Sequence, residues 1–93
     1  MVASATPDAQ AAVSAARAAI LDLLAVRDTE KTICPSEAAR VVGGEAWRDS
    51  MPTVHAAARK LAEEGVIELR QKGARREVDS IVGAYRIGSR RPG

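Results

Sequence analysis

A chain of 93 residues with no Phe, one Trp and one Tyr cannot build its interior around large aromatic side chains. Trp47 and Tyr85 are those two residues, so Ala, Val, Ile and Leu must supply the rest of the core. Alanine is the strongest helix former, and small side chains let helices pack closely. A chain this short has room for one core and buries roughly 60–65% of its unfolded surface. The composition therefore predicts a single small domain built on closely packed helices.

The first helical pattern follows residues 1–5, which lack hydrophobic periodicity and are predicted to be a loose tail. Thr6 offers a capping hydroxyl, and Pro7 suits the first helical position because its missing N–H costs nothing there. The spacing that follows predicts an amphipathic helix ending near Arg27. The apolar residues that recur at three and four positions are Val13, Ala16, Ile20, Leu23 and Leu24.

A second helix start is encoded between residues 32 and 37. Residues 32–33 suffice only for a minimal edge strand. In the segment CPSE of residues 34–37, the residue before proline favours extended backbone, and the glutamate can reach back to free amides. The helix is predicted to run to about Val42 and to end at Gly43-Gly44. Its predicted inward residues are Ala38, Val41 and Val42.

The third helical segment has one apolar and one polar face. Residues 45–49 are predicted to form one helical turn that carries Trp47 into the core, and Ser50 with Pro52 marks the next helix start, with Gly65 at its end. The apolar positions that share a helix face are Val54, Ala57, Ala58 and Leu61. The opposite face consists of Pro52, Ala56, Arg59, Lys60 and Glu63, with Thr53 and His55 on its flanks.

The hydrophobic period changes to strict alternation after the third helix. Ile67 and Leu69 alternate with charged residues, and Tyr85 and Ile87 alternate around another, as in half-buried strands. The two strands are predicted to pair antiparallel, with residues 72–83 as a long mobile loop. The fold class is therefore α+β, with three main helices, a small β-hairpin and a short third strand. Residues 6–88 form the predicted domain, and residues 89–93 a basic tail.

This order of elements resembles that of a winged helix-turn-helix domain. The stretches TICPSEAAR and EEGVIELRQKG, and the pair Trp47-Arg48 followed by MPTV at residues 51–54, are together similar to a small bacterial domain family of unknown function. These motifs cover residues 32–73. The resemblance implies the winged-helix fold and no established activity. The family tends to carry arginine where this chain has His55 and Ala56, and this departure weakens the case for nucleic-acid contact in the middle of the third helix.

Charge is unevenly distributed along the chain. Residues 1–47 hold four basic against six acidic residues, whereas residues 48–93 hold ten basic against six acidic residues. The second half contains the third helix and the hairpin, so an anionic partner is expected there.

A DNA reader would place the third helix in the major groove and the hairpin, or wing, on phosphates. The candidate contacts are Arg48, Thr53, His55, Arg59 and Lys60 on the helix, and Arg70, Lys72, Arg75 and Arg76 on the wing. The same patterns also suit a solvated helix face and a soluble loop that resists aggregation. The sequence favours a non-catalytic domain that binds nucleic acid, most simply duplex DNA.

The alternative is a winged-helix module that binds a protein partner or a second copy of the chain and no nucleic acid. Charge continuity separates the two functions. A single basic surface formed by Arg48, Arg59, Lys60, Lys72, Arg75 and Arg76 would favour DNA. A surface divided by Glu63, Glu68 and Glu77 would favour the interaction module.

Cys34 is the single cysteine, so it cannot form an internal disulfide or a zinc cluster, and it fits a reducing cytoplasm. Cys34 with His55 could form a thiol-imidazole pair, but no acid is placed to orient the histidine, and the cysteine is predicted to be a small buried residue at a helix cap. No enzyme activity, metal or cofactor is therefore predicted. Charged residues interrupt the Ala-rich N-terminal segment and exclude a membrane span. Trp47 is interpreted as a core anchor.

Overall fold

The computed structural model describes residues 6–27, 31–81 and 83–89, which form an α+β architecture. The helices are α1 (Thr6–Ala25), α2 (Pro35–Gly43) and α3 (Trp47–Glu63), and single 3-10 turns lie at Gly44–Ala46 and Val78–Ser80. The strands are β1 (Thr32–Ile33), β2 (Ile67–Gln71), β3 (Ala74–Arg76) and β4 (Arg86–Ser89). Among the described residues, no helix is long and apolar enough to cross a lipid bilayer.

The four strands form one antiparallel sheet in the order β1-β4-β2-β3. Ile87 of β4 pairs with Ile33 on one side and with Leu69 on the other. The minimal strand β1 lies at the edge, as predicted, and it joins the last strand of the chain. This arrangement is compatible with a winged-helix-like fold.

The sheet has one apolar face, called the inner face below, that packs on the helices. Its buried side chains are Ile33, Ile67, Leu69 and Ile87. The predicted apolar face of α3 is confirmed, since all four of its residues are at most 1% exposed. From α1 the core receives Ala16, Ala19, Ile20 and Leu24. Val13 and Leu23, predicted in the same stripe, are half-buried at its margin.

The start and the end of α2 follow the predicted signals. The carboxylate of Glu37 accepts a hydrogen bond from the backbone N–H of Cys34 at 2.9 Å, which completes a capping box. Gly44 has φ 58°, a conformation that side chains resist, and it follows the last residue of the helix. The prediction for Val41 is wrong, because α2 buries Ala38 and Ala39 and leaves Val41 61% exposed.

The predicted start of the third helix at Ser50 is wrong. The 3-10 turn at Gly44–Ala46 leads directly into α3 at Trp47, so residues 45–49 do not form a separate helical turn and Pro52 lies inside the helix. Proline already has a helical φ, and it removes one internal hydrogen bond. The buried apolar face of α3 outweighs that loss. The helix ends at Glu63, two residues before Gly65, which has φ 79°.

The predicted loop at residues 72–83 contains further structure. Its first residues form a two-residue turn, with Lys72 at φ 54° and Gly73 at φ 79°. Positive φ at both positions matches the twist of a tight hairpin, so β3 pairs directly with β2. At the C-terminal end, β4 includes Ser89, which the sequence assigned to the tail. The predicted tails at residues 1–5 and 90–93 lie outside the described residues.

Candidate functional site

The outward face of α3 is exposed along its length, as the apolar pattern predicted. Burial of the opposite face turns Arg59 and Lys60 toward solvent. Thr53, on the flank, is half-buried. Two exposed cations and one hydroxyl are thus presented by a single helix. This geometry suits contact with an anionic surface.

His55, another predicted contact, is committed to a partner inside the protein. Its Nδ1 lies 2.7 Å from the hydroxyl oxygen of Tyr85, and the two ring centroids are 5.5 Å apart. Burial raises the pKa of Tyr85 to about 12, against a smaller lowering effect from the positive charge of Arg59. The pair joins α3 to the residue before β4. The imidazole is therefore less available for base contact than the sequence suggested.

Arg59 lines a small cavity between α3 and the second 3-10 turn. The cavity has a volume of about 190 Å³, and its wall includes Leu69, Val78 and Ile81. The guanidinium is 3.7 Å from the carboxylate of Asp79, whose side chain is 97% exposed. An exposed ion pair of this kind contributes little stability. Asp79 can therefore move away from Arg59 when another anion approaches.

Trp47 contacts the core and also supports two arginines. Its ring is half-buried. The guanidinium carbons of Arg40 and Arg48 lie 4.6 Å and 4.4 Å from the ring centroid, within cation–π range. The core-anchor interpretation therefore describes only part of its environment. Arg48, a predicted contact, is held at the corner between α2 and α3.

The four predicted wing cations do not share one surface. Arg75 pairs across the strands with Arg70, whereas Arg76 pairs with the buried Leu69, so Arg75 and Arg76 belong to opposite faces of the sheet. Lys72 lies in the turn. Arg76, exposed at the sheet edge, borders a shallow depression that also includes Ala62 of α3. Arg75 also lines this depression, but of the two arginines only Arg76 projects from the face of the sheet that packs on the helices.

Acidic residues interrupt the basic surface expected from the sequence. The Nε of Arg70 donates to a carboxylate oxygen of Glu68 at 2.5 Å. Glu77 borders the depression that contains Arg76, and Asp79 approaches Arg59. The surface is basic in patches, and it is not one continuous field.

Sequence reasoning missed Arg86, the most extensively bonded cation of the sheet. It donates from Nε to the Thr32 hydroxyl at 2.7 Å, from Nη2 to the Thr32 carbonyl at 3.2 Å and from Nη1 to the Cys34 sulfur at 2.8 Å. The alternation around Tyr85 and Ile87 was the available signal, since it turns Arg86 away from the core. The strand register that places it beside other arginines could not be read from that pattern.

Glu37 is the centre of a second charged cluster near Cys34, next to the contacts made by Arg86. Burial raises the pKa of Glu37, but hydrogen bonds from the Cys34 amide and the Arg27 guanidinium, with the positive charges of Arg27 and Arg86, outweigh that effect and lower it. Arg27 also donates to the carbonyl of Thr32 at 3.0 Å. The cluster therefore ties the end of α1 to the start of α2.

The described residues contain no group of three His, Cys, Asp or Glu side chains placed to hold a metal ion. Cys34 accepts its hydrogen bond from Arg86, and His55 contacts Tyr85. Among the residues that the structure describes, no hydrogen bond joins Cys34 to His55. The geometry therefore gives no support to a thiol-imidazole pair.

These features define a small α+β domain with helices on one face of an antiparallel sheet and arginines on the other. The sequence matches the DUF3253 family, described as a protein of unknown function, over residues 13–90, and the chain belongs to that family. The resemblance to a family of unknown function is thereby confirmed. No curated protein matches the chain.

Proposed function

We propose that the chain is a winged helix-turn-helix domain that binds duplex DNA without catalysis. In this proposal α3 enters the major groove, and the β2–β3 hairpin with its turn forms the wing that contacts phosphates. Contacts to the DNA phosphate backbone position the domain on the duplex, and α3 supplies any preference among base pairs.

The topology supports the winged-helix assignment. The chain runs α1, β1, α2, α3 and then the strands, and β1 joins β4, which in turn joins β2. Residues 43–46 make a tight corner between α2 and α3. A helix presented after such a corner, with its outer face free, has the form of a recognition helix.

The observation that carries the proposal is the exposed face of α3. Its two neighbouring cations, Arg59 and Lys60, have no packing role in the core. Arg76 lies beside the same helix at the depression that includes Ala62. An α-helix fits the width of the major groove, and arginine or lysine donors suit its base edges and flanking phosphates.

A protein-interaction module is the second candidate, and the interrupted charge pattern favours it. Asp79 approaches Arg59, and Glu77 borders the depression with Arg76. A partner with mixed charges would match this alternation better than a uniformly anionic duplex. The DNA experiment below separates the two candidates.

Fluorescence anisotropy with a random-sequence duplex tests the proposal across a series of salt concentrations. If the three cations beside α3, Arg59, Lys60 and Arg76, contact phosphates, log affinity should fall against log salt with a slope near −3, from about −0.9 per contact, whereas the six contacts predicted from the sequence would give about −5. Fewer contacts give a shallower slope. Absence of binding at about 50 mM salt, where non-specific contacts are strong, would remove DNA from consideration and leave the interaction module.

A pair of variants locates the contact on α3. The double substitution Arg59→Ala with Lys60→Ala should weaken binding and reduce the slope by about 2. Lys31→Ala is the matched control, because it removes an exposed charge before β1, away from both α3 and the hairpin. A loss in the control that is half of the loss in the double variant would show that net charge alone drives binding, because the control removes one charge and the double variant removes two.

A further inference from the structure

Three arginines lie in one row across the sheet. The register pairs Arg86 of β4 with Arg70 of β2, and Arg70 with Arg75 of β3. Residues paired in this way project from the same face, and neighbouring strands are about 4.8 Å apart. The arginine row, defined as Arg86, Arg70 and Arg75, therefore spans about 10 Å on the face opposite the core, called the outer face below.

This arrangement is electrostatically unfavourable in the protein alone. Like charges directly opposite each other on neighbouring strands destabilise a sheet. Glu68 compensates Arg70 through the 2.5 Å hydrogen bond, and the charge of Arg86 is felt by the Glu37 carboxylate, but Arg75 forms no ion pair with any described carboxylate. Three positive charges and one negative charge thus share the outer face at this row.

Two of the three guanidinium groups are held in place before any ligand arrives. Arg86 is fixed by three hydrogen bonds to Thr32 and Cys34. Arg70 is fixed by Glu68 and lies over Gly88, where a Cβ would meet its Nε at 3.4 Å. Side chains that are already ordered lose less entropy on binding. The row is thus a partly preorganised set of donors.

The outer face lies on the opposite side of the sheet from the helices, although Arg75 also lines the depression beside Ala62 of α3. The helices pack on the inner face through Leu69 and Ile87, whereas the row projects from the other side of the same strands. Arg75 is exposed, and Arg70 and Arg86 keep solvent contact. An anion on the outer face would therefore lie apart from one held by Arg59 and Lys60.

We propose that the arginine row is a second site, one that binds the phosphate groups of a nucleic-acid backbone. A guanidinium offers parallel N–H donors that match phosphate oxygens. No aromatic side chain lies among the row's paired residues, so it lacks the base-stacking platform of single-strand readers, and its contacts would be independent of sequence. The inference rests on the proposed function for its ligand, and it moves the backbone contacts from the hairpin turn to the sheet.

Salt titrations with the same duplex test the row. Arg75→Ala is the cleanest variant, because this side chain is exposed and no described ion pair depends on it; the salt slope should become shallower by about 1. Adding Arg86→Ala should make it shallower by about 2 in total. Arg75→Lys, which keeps the charge, should restore most of the slope, and Lys31→Ala should leave it unchanged. If Arg86→Ala fails to fold by circular dichroism, Arg86→Gln takes its place, because Arg75 also belongs to the hairpin of the proposed function and only Arg86 belongs to the row alone.

The outcomes separate this inference from the proposed function. A shallower salt slope in Arg75→Ala/Arg86→Ala than in Arg75→Ala alone, with normal binding by Arg59→Ala/Lys60→Ala, would support the row and overturn binding through α3. An unchanged slope in Arg75→Ala/Arg86→Ala, with weakened binding by Arg59→Ala/Lys60→Ala, would overturn the row and keep binding through α3.

A second experiment applies if the protein binds no duplex. NMR titration with inorganic phosphate would follow the Nε–H signals of the three arginines. Shifts in wild type that disappear in Arg75→Ala would keep the row as a site for free phosphate, and the absence of shifts would overturn it.

Discussion

The helical layer and the outer face of the sheet use charged side chains differently. In the helical layer, opposite charges join elements: Arg17 of α1 donates two hydrogen bonds, of 3.0 Å and 2.8 Å, to Glu64 at the end of α3. On the outer face, arginines from three strands lie side by side. Charges of the first kind have a structural use within the domain. On the outer face Arg70 and Arg86 also bond within the domain, whereas the Arg75 side chain has no described hydrogen bond or ion pair, so Arg75 is the first of the three to test for a partner.

The largest expected effect contrasts the two faces of one sheet. Leu69→Ala on the inner face should destabilise the domain by about 3 kcal/mol, because it removes a fully buried side chain and leaves a cavity. Arg75→Ala on the outer face should change the free energy of unfolding by at most about 0.5 kcal/mol. Urea denaturation measures both. A similar cost for the two variants would show that Arg75 has a structural role and would break the comparison.

Trp47→Ala should have the next largest effect, about 2–3 kcal/mol. This is below the cost of deleting a fully buried Trp, since the ring is only half-buried. Fluorescence cannot follow this variant, so thermal unfolding by circular dichroism is the measurement. A melting temperature equal to that of wild type would mean that the contacts with Arg40 and Arg48 are its main role.

Glu37→Gln tests the charge cluster of the helical layer and should cost about 1 kcal/mol at neutral pH. The pKa of Glu37 is lowered in the folded state, so its stabilisation is present above the ordinary value of 4.5 and is lost as pH falls through the lowered value. The variant should therefore show a weaker loss of stability in acid. An acid unfolding curve parallel to that of wild type would contradict this role.

Tyr85→Phe should cost at most about 1 kcal/mol at neutral pH, through loss of the hydrogen bond to His55, and its distinctive effect should appear in alkali. Its folded-state pKa of about 12 exceeds the ordinary 10.0, so the neutral phenol stabilises the fold below pH 10, and this contribution is lost as pH rises toward 12. Tyr85→Phe should remove that portion of the alkaline loss. Ultraviolet titration of the Tyr85 phenol gives an independent check. An ordinary pKa in the folded protein would show that burial of this phenol does not cause the loss of stability in alkali.

Local patterns were sufficient for much of the fold. The apolar face of α3, the alternation in β2 and the capping box at Cys34 depend on residues a few positions apart, and the structure agrees with each prediction. Pro52 shows the limit of such signals. Proline marks a helix start in isolation, but here the packing of α3 on α1 and α2 carries the helix past it.

The surface was harder to predict than the core, because it depends on register. The sequence placed Arg70, Lys72, Arg75 and Arg76 in one basic loop. A two-residue turn at Lys72 sets the pairing, and one step along β3 then moves a side chain to the other face. Arg86 joins Arg70 only through a pairing between distant segments. Charge counts along the chain carry no such information.

The joining of β1 to β4 also bears on the order in which the domain folds. The contacts of Arg86 with Thr32 link residues 54 positions apart, and β1 has only two residues to hold its place. Closing so long a loop lowers the entropy of the chain before the contacts it brings together can stabilise the fold. We expect the edge strand to dock last, after the helices and the β2–β3 hairpin have formed. Ile33→Val should then speed unfolding and leave the refolding rate nearly unchanged, which stopped-flow kinetics can measure.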